Sequence, residues 1–140
     1  MQRLSLTRQV QFAAAHRLRR PDWSDARNAE VFGVCSRPSF HGHTYICDVT
    51  VSGPLDEETG FVVSLVMLDA ILDKQVHAPL DHRNLNLDVP EFADGRAIPS
   101  GENLSRWIAE RVQAALPSSV VVTRVIVRED PTLWATWERD

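Results

Sequence analysis

Cysteine is scarce in this chain: Cys35 and Cys47 are the two among 140 residues, too few for a disulfide-held scaffold. Positive charge is also short. Lysine and arginine number 15 against 19 aspartates and glutamates, and the resulting net charge of -4 argues against broad binding to nucleic acid or to an anionic membrane. A local basic pocket is compatible with that balance. No apolar run reaches membrane-spanning length and no basic-then-apolar leader is seen, so the expectation is a cytoplasmic protein with no membrane partner. Internal repeats, low-complexity tracts and interdomain linkers are missing as well. What is there is ordinary for a globular protein: 44% hydrophobic and 24% charged residues, which argues against disorder. The length predicts one domain over residues 1–140. A chain of this size buries roughly two-thirds of its unfolded surface and needs neither disulfide nor metal merely to fold.

Periodicity then divides the chain. Leu4, Leu6, Val10 and Phe12 alternate with polar residues, which predicts a half-buried strand over Leu4 to Phe12. Arg17 to Pro38 reads as a long polar connection, a type that is usually functional or partly ordered. Tyr45, Cys47, Val49 and Val51 share one face of a second strand from about His43 to Ser52. The period changes at Leu65, Leu68, Leu72 and Val76, giving a helix over about 64–77. Ala78 to Ile98 reads as a loop interrupted by Pro79 and Pro90. A second helix starts at Ser100, an N-cap, with Glu102 in its first turn, and ends at Pro117. Val120 to Val127 and Leu133 to Trp137 are the last strands. Strands grouped around a helical middle favour an α+β fold, an antiparallel sheet with helices on one face.

His41-Gly42-His43 is the strongest local signal, because residues two apart on an extended chain point the same way. His43 is in phase with Tyr45 and Cys47 and so faces inward. His16 follows the first strand; if the two strands pair antiparallel, it lies beside His41 and His43. Three neutral imidazoles suit zinc, and three protein ligands leave the open position of a catalytic site. The plainer alternative is a surface turn at His41 to His43 with His16 capping a helix. Cys35 precedes His41 closely; near a cation its thiol pKa would fall, making it a nucleophile or base. A buried free thiol, or a fourth ligand closing a structural zinc site, reads equally well from spacing. Cys47 sits in phase with the apolar face and belongs to the core. Asp81-His82 has the composition of an acid–base pair, or of a turn capped by Asp81. His77 ends the helix, where a cation is favourable. Glu129 is in phase with Val125 and Val127, facing inward, where a carboxylate can accept two hydrogen bonds from an amino-heterocycle or pair with an arginine. Arg17, Arg19 and Arg20 can meet phosphates or form a solvated cluster.

Taken in order, these segments resemble the 6-pyruvoyltetrahydropterin synthase family and the related bacterial 6-carboxytetrahydropterin synthases. The resemblance runs through Phe12-Ala13-Ala14-Ala15-His16-Arg17-Leu18, Phe32-Gly33-Val34-Cys35, His41-Gly42-His43, Leu80-Asp81-His82-Arg83-Asn84-Leu85, Leu87 to Asp94, Gly101-Glu102-Asn103 and Glu129. It implies the tunnelling fold: a four-stranded antiparallel sheet with two helices, three chains closing a β-barrel, and two trimers stacking as a homo-hexamer. By the same resemblance His16, His41 and His43 would bind Zn2+ and Cys35 would be the catalytic thiol. Asp81 and His82 would form a proton relay supplied by a neighbouring subunit. Glu129 would hold the pterin ring, with Ser100, Gly101 and Glu102 lining the pocket. The implied enzyme is a zinc-dependent lyase that eliminates triphosphate from 7,8-dihydroneopterin triphosphate, as in tetrahydrobiopterin biosynthesis. The alternatives are formation of 6-carboxytetrahydropterin for queuosine biosynthesis, or a pterin-binding relative without turnover.

Departures from the family pattern fall at Ser64 where Asp or Asn is frequent, at Ser100 or Gly101 where Thr is, and at Arg128 where an aromatic is usual. Five residues separate Cys35 from His41, the spacing of the pyruvoyl-forming members rather than of the carboxy-forming ones.

Overall fold

The alternation that starts the chain persists further than its apolar residues do. In the computed structural model, which describes residues 3–140, strand β1 runs Ser5–His16, past the expected end at Phe12. Residues 1 and 2 of the expected domain lie outside the described residues. Ala13 to His16 carry little strand preference themselves; the partner strand β2 (His41–Ser52) extends them, pairing Ala14 with His43 and His16 with His41. Strands β4 (Val121–Asp130) and β5 (Leu133–Glu138) complete an antiparallel run on the other side of β2.

The expected four-stranded sheet needs correction to five strands, ordered β3-β1-β2-β4-β5. Strand β3 (Arg83–Asn84) lies parallel to Ala14 and Ala15 along the outer edge of β1. Its cause is local. His82 takes a left-handed φ of 58°, and its N–H donates to the Ala13 carbonyl at 2.6 Å, which turns the chain onto that edge. The sheet is open, with β3 and β5 at its edges.

One face of the sheet is apolar. Tyr45, Cys47, Val49 and Val51 are fully buried on β2, with Val125 and Val127 beside them on β4. Helix α5 (Gly101–Ala115) covers this face through Leu104, Ile108 and Val112, with Ser100 as its N-cap accepting from the Asn103 N–H. The other face is polar: Gln9 and Arg128 both donate to Asp48, at 3.0 and 2.6 Å.

The expected helix over 64–77 is real at its start and modified at its end. Helix α2 (Leu65–Leu72), capped by Ser64, passes into a wide turn over Asp73–His77 and then α3 (Ala78–Leu80). Pro79 explains the change. It lacks an N–H, and its ring would collide with the carbonyl of Gln75 in a regular helix. The wide turn relieves the clash, and the freed Gln75 carbonyl accepts from Arg111 Nε at 3.1 Å.

The stretches read as connections, Arg17 to Pro38 and Ala78 to Ile98, contain further structure. Helix α1 (Asp25–Phe32) is capped by Ser24 and followed by a tight turn over Gly33–Ser36. Its buried residue is Asn28, whose amide bonds Arg20 at both backbone groups, so a polar plug replaces the apolar stripe that signals a helix. A short helix α4 (Leu85–Asp88) and a turn over Pro90–Phe92 order the second stretch. Among the described residues, no helix is long and apolar enough to cross a membrane.

Leu104 anchors the first turn of α5 and is fully buried. Leu104→Ala should lower stability by about 2–5 kcal/mol in urea unfolding, because it leaves a cavity that the helix and sheet cannot fill.

Candidate active site

Antiparallel pairing of His16 with His41 brings the ends of β1 and β2 together, and the two-residue strand period adds His43 on the same face. Ligand-capable atoms of the three imidazoles lie within 4.8 Å of one another. Ring centroids are 4.6 Å apart for His16 and His41, 5.2 Å for His16 and His43, and 5.0 Å for His41 and His43. The alternative of a surface turn with His16 capping a helix is excluded, since His16 is wholly buried inside β1.

The surroundings orient His16 and favour the neutral form of His16 and His41. His16 Nδ1 donates to the Pro99 carbonyl at 2.8 Å, just before the N-cap of α5, which makes Nε2 the unprotonated nitrogen, with the Tyr45 hydroxyl 3.5 Å from it. The Tyr45 hydroxyl lies 3.2 Å from the same Nδ1. Burial lowers the pKa of His16 from 6.5 to about 4, opposed by the Pro99 bond and helped by His41 and His43. His41 is also pushed down, by burial and then by His43. Nε2 of His41 and Nε2 of His43 are buried with no hydrogen-bond partner. An unpartnered buried polar atom costs about 1–3 kcal/mol. A cation bound by these nitrogens would relieve that cost, so the residues present fit a metal ion that prefers imidazole.

Cys35 stands on the Gly33–Ser36 turn, which is clamped against the end of β1. The Leu18 N–H donates to the Cys35 carbonyl at 2.8 Å, and Arg17 Nη2 donates to the Ser36 carbonyl at 2.5 Å. That bond gives Arg17 a structural task. Arg19 and Arg20 face Asp94 and Asp22 instead, at 3.7 and 2.7 Å. The expected lowering of the Cys35 pKa is not produced by the chain's own groups: burial raises it, and the Glu129 carboxylate raises it further. Cys47 is a core thiol, fully buried and likewise raised by burial.

Glu129 points inward as its phase predicts, with Oε2 3.8 Å from His43 Nε2 and its pKa raised mainly by burial. The alternative of an arginine partner fails, since the adjacent Arg128 faces the other side of the sheet and pairs with Asp48. Gly101 gives Glu129 room: a Cβ there would meet Ala135 Cβ at 3.2 Å and Glu129 Oε1 at 3.6 Å. Ser100 spends its hydroxyl on capping α5, and Glu102 is exposed in the first turn, near enough to raise Glu129. Tyr45 and the Pro99 carbonyl are site groups that periodicity alone reads as core and loop.

Asp81 and His82 form a direct pair in the turn between α3 and β3, beside the edge of β1. His82 Nδ1 meets Asp81 Oδ2 at 2.8 Å, while Asp81 Oδ1 accepts the Ala13 N–H at 2.9 Å. That backbone bond, then His82, lowers the Asp81 pKa. The pair occupies the β3 edge of β1, with the His82 side chain 83% exposed. One chain therefore gathers His16, His41, His43, Cys35 and Glu129, and holds Asp81 and His82 apart at an edge.

In metal-free protein, His16 binds its proton more readily unfolded than folded, so stability should be full above pH 6.5 and fall as pH drops toward about 4. Urea midpoints across that window check the sign, and His16→Asn should flatten the slope. Tyr45→Phe removes a contact to His16 and should weaken metal binding by about 10-fold or more, read by competition with a chelator.

Comparison with known proteins places this geometry. Residues 5–140 match the family described as 6-pyruvoyl tetrahydropterin synthase. The 6-pyruvoyl tetrahydrobiopterin synthase of Homo sapiens is 40% identical over 116 residues, covering 83% of this chain and 79% of that protein. The 6-carboxy-5,6,7,8-tetrahydropterin synthase of Bacillus subtilis (strain 168) is 33% identical over 137 residues, covering 94% and 83% respectively. The solved structure of Caenorhabditis elegans 6-pyruvoyl tetrahydropterin synthase matches with a TM-score of 0.91 at 31% identity, covering 100% of this chain and 98% of that one. A match of this extent, on a chain whose strands bring three histidines and an inward glutamate together beside the turn that carries Cys35, makes it a member of the 6-pyruvoyl tetrahydropterin synthase family.

Proposed function

We propose that this chain is a zinc-dependent carbon–oxygen lyase that eliminates triphosphate from 7,8-dihydroneopterin triphosphate to give 6-pyruvoyltetrahydropterin. The observation that carries the reading is the convergence of His16, His41 and His43 with Cys35 and Glu129 at one end of the sheet. Zinc bound by the three imidazoles would supply a positive charge that acidifies the C–H beside a side-chain hydroxyl and favours a nearby thiolate.

Glu129 accepts hydrogen bonds from the amino-pyrimidine edge of the pterin, and its burial strengthens them. Gly101 leaves the space in which that ring lies against the carboxylate. Cys35 removes the carbon-bound proton of the side chain. His82, oriented by Asp81, returns protons as triphosphate leaves and the side chain tautomerises to the diketone. The redox change is internal to the substrate: the pterin ring gains the hydrogens that the side chain loses, so no external oxidant is required. Arg128 faces away from this pocket, which removes one of the sequence motives for a binding-only relative.

His82 serves a neighbouring chain in this reading. Its exposure at the β1 edge supports that, as do the edges themselves. β3 covers β1 only at Ala14 and Ala15, and β5 presents Leu133 and Trp134, each 55% exposed. Joining unlike edges is a head-to-tail contact, the type that makes a ring where the rotation closes. Three chains closing a barrel and two rings stacked as a hexamer would bring each Asp81–His82 pair to a partner's thiol.

The second reading is formation of 6-carboxytetrahydropterin with release of acetaldehyde. It is favoured by the extensive match to the Bacillus subtilis protein and disfavoured by the spacing from Cys35 to His41. Zinc-loaded protein incubated with 7,8-dihydroneopterin triphosphate, with the product identified by mass, separates the two. The account expects the pyruvoyl product; the carboxy product would move the assignment to the second reading. Cys35→Ala should lower turnover by roughly 10^2–10^4-fold with zinc content unchanged. A parallel loss of zinc and stability would instead make Cys35 a structural ligand.

A further inference from the structure

The loop that joins the Cys35 turn to β2 is pinned at both ends to the end of β1 and the residues that follow it. At one end the Leu18 N–H donates to the Cys35 carbonyl at 2.8 Å, and Arg17 Nη2 reaches the Ser36 carbonyl. At the other end His41 pairs with His16. Between them the chain reverses in a four-residue turn, Arg37-Pro38-Ser39-Phe40, closed by the Phe40 N–H donating to the Arg37 carbonyl at 3.2 Å. Turns of the commonest type favour proline in the second position and glycine in the fourth. Pro38 follows that preference. Position 40 does not: it takes a left-handed φ of 64°, where a β-carbon is disfavoured, and it carries phenylalanine.

Packing on the core does not account for this ring. Phe40 is half-buried, yet among the described residues the half-buried apolar side chains that pack on the core are Leu6, Val10, Val62, Ile71 and Trp137. The phenylalanines that pair with other rings are Phe12, Phe32 and Phe92. Its own turn offers little cover, since Arg37, Pro38 and Ser39 are all exposed. A strained backbone persists where the surrounding structure over-determines it, and such strain gathers at functional sites. Position 40 directly precedes the first histidine of β2 and closes the loop that begins at Cys35. We infer that Phe40 is a positioning residue: its ring holds the loop from Cys35 to His41 closed, and that closure keeps the thiol beside the three imidazoles. Half-burial of a phenyl ring is worth about a factor of ten in such an opening equilibrium. Without the ring the loop opens and the sheet stays folded, because Cys35 stands on a turn while His41 stays in the β1–β2 ladder.

The consequence for turnover rests on the reading in which the Cys35 thiol removes the proton; closure itself is measured without it. Three variants of the zinc-loaded full chain separate ring from backbone. Phe40→Ala keeps the strained φ and removes the ring, Phe40→Gly removes both, and Phe40→Leu exchanges the ring for another apolar side chain. Hydrogen exchange of the Leu18 amide reports closure, because its partner is the Cys35 carbonyl. That amide should exchange about 10-fold faster in Phe40→Ala and Phe40→Gly, and near the wild-type rate in Phe40→Leu. In the first two kcat should fall roughly 10- to 100-fold with KM little changed, and Phe40→Leu should recover it. The thermal midpoint of Phe40→Gly should lie above that of Phe40→Ala, the reverse of the order at an unstrained position. Equal exchange in all four proteins would overturn the inference, as would a midpoint for Phe40→Gly below that of Phe40→Ala. Equal acceleration of the amides at the centre of β2 would also overturn it, since the ring would then support the fold as a whole. Faster Leu18 exchange with unmoved turnover would leave the closure intact and count against Cys35 as the base.

Discussion

The register of β1 against β2 is the constraint on which the site depends. Side chains alternate, so a slip of one residue would send His41 and His43 to the polar face and leave His16 alone. The register is set by burial along the whole ladder. Phe12 and Ala14 of β1 and Tyr45, Cys47, Val49 and Val51 of β2 all face the helices, and none can be moved to the polar face cheaply. The three histidines thus stand on the paired ends of two adjoining strands, with Cys35 added from a turn.

Helix α5 makes the second connection between packing and chemistry. Its apolar stripe seats it on the sheet, and that seating delivers the Pro99 carbonyl to His16 and Gly101 to Glu129. The turn that carries Cys35 is tied to the same strand end by Leu18 and Arg17. Burial then sets the protonation states. It keeps His16 and His41 neutral, and it raises Glu129 and Cys35, so a thiolate at Cys35 requires a positive charge that these side chains do not provide.

Much of this was legible in the residues, for physical reasons that differ from segment to segment. Inward phase identified His43 and Glu129 correctly because both strands bury one face, where a period of two is unambiguous. Ser100 announced its helix as a cap, and Ser64 proves to cap the other. Helix α1 left no such trace: its interior contact is Asn28, a polar plug, and no apolar stripe exists to be read. Strand β3 was illegible because two residues have no period, and it forms only after His82 turns the chain onto an open edge. Pro99 could not be found either, since its contribution is a carbonyl and any residue carries one. The resemblance to the pterin synthases supplied roles, while the coordinates supplied the partners: Tyr45 beside His16, Asp48 beside Arg128, Asp81 beside Ala13.

The central claim is that three imidazoles hold the metal while the thiol stands free for chemistry. X-ray absorption at the zinc edge of the loaded protein tests it most directly. The account predicts nitrogen or oxygen neighbours alone, at about 2.0–2.1 Å, with the same spectrum in Cys35→Ala. A sulfur neighbour at about 2.3 Å that disappears in Cys35→Ala would contradict it and make the site a closed structural one.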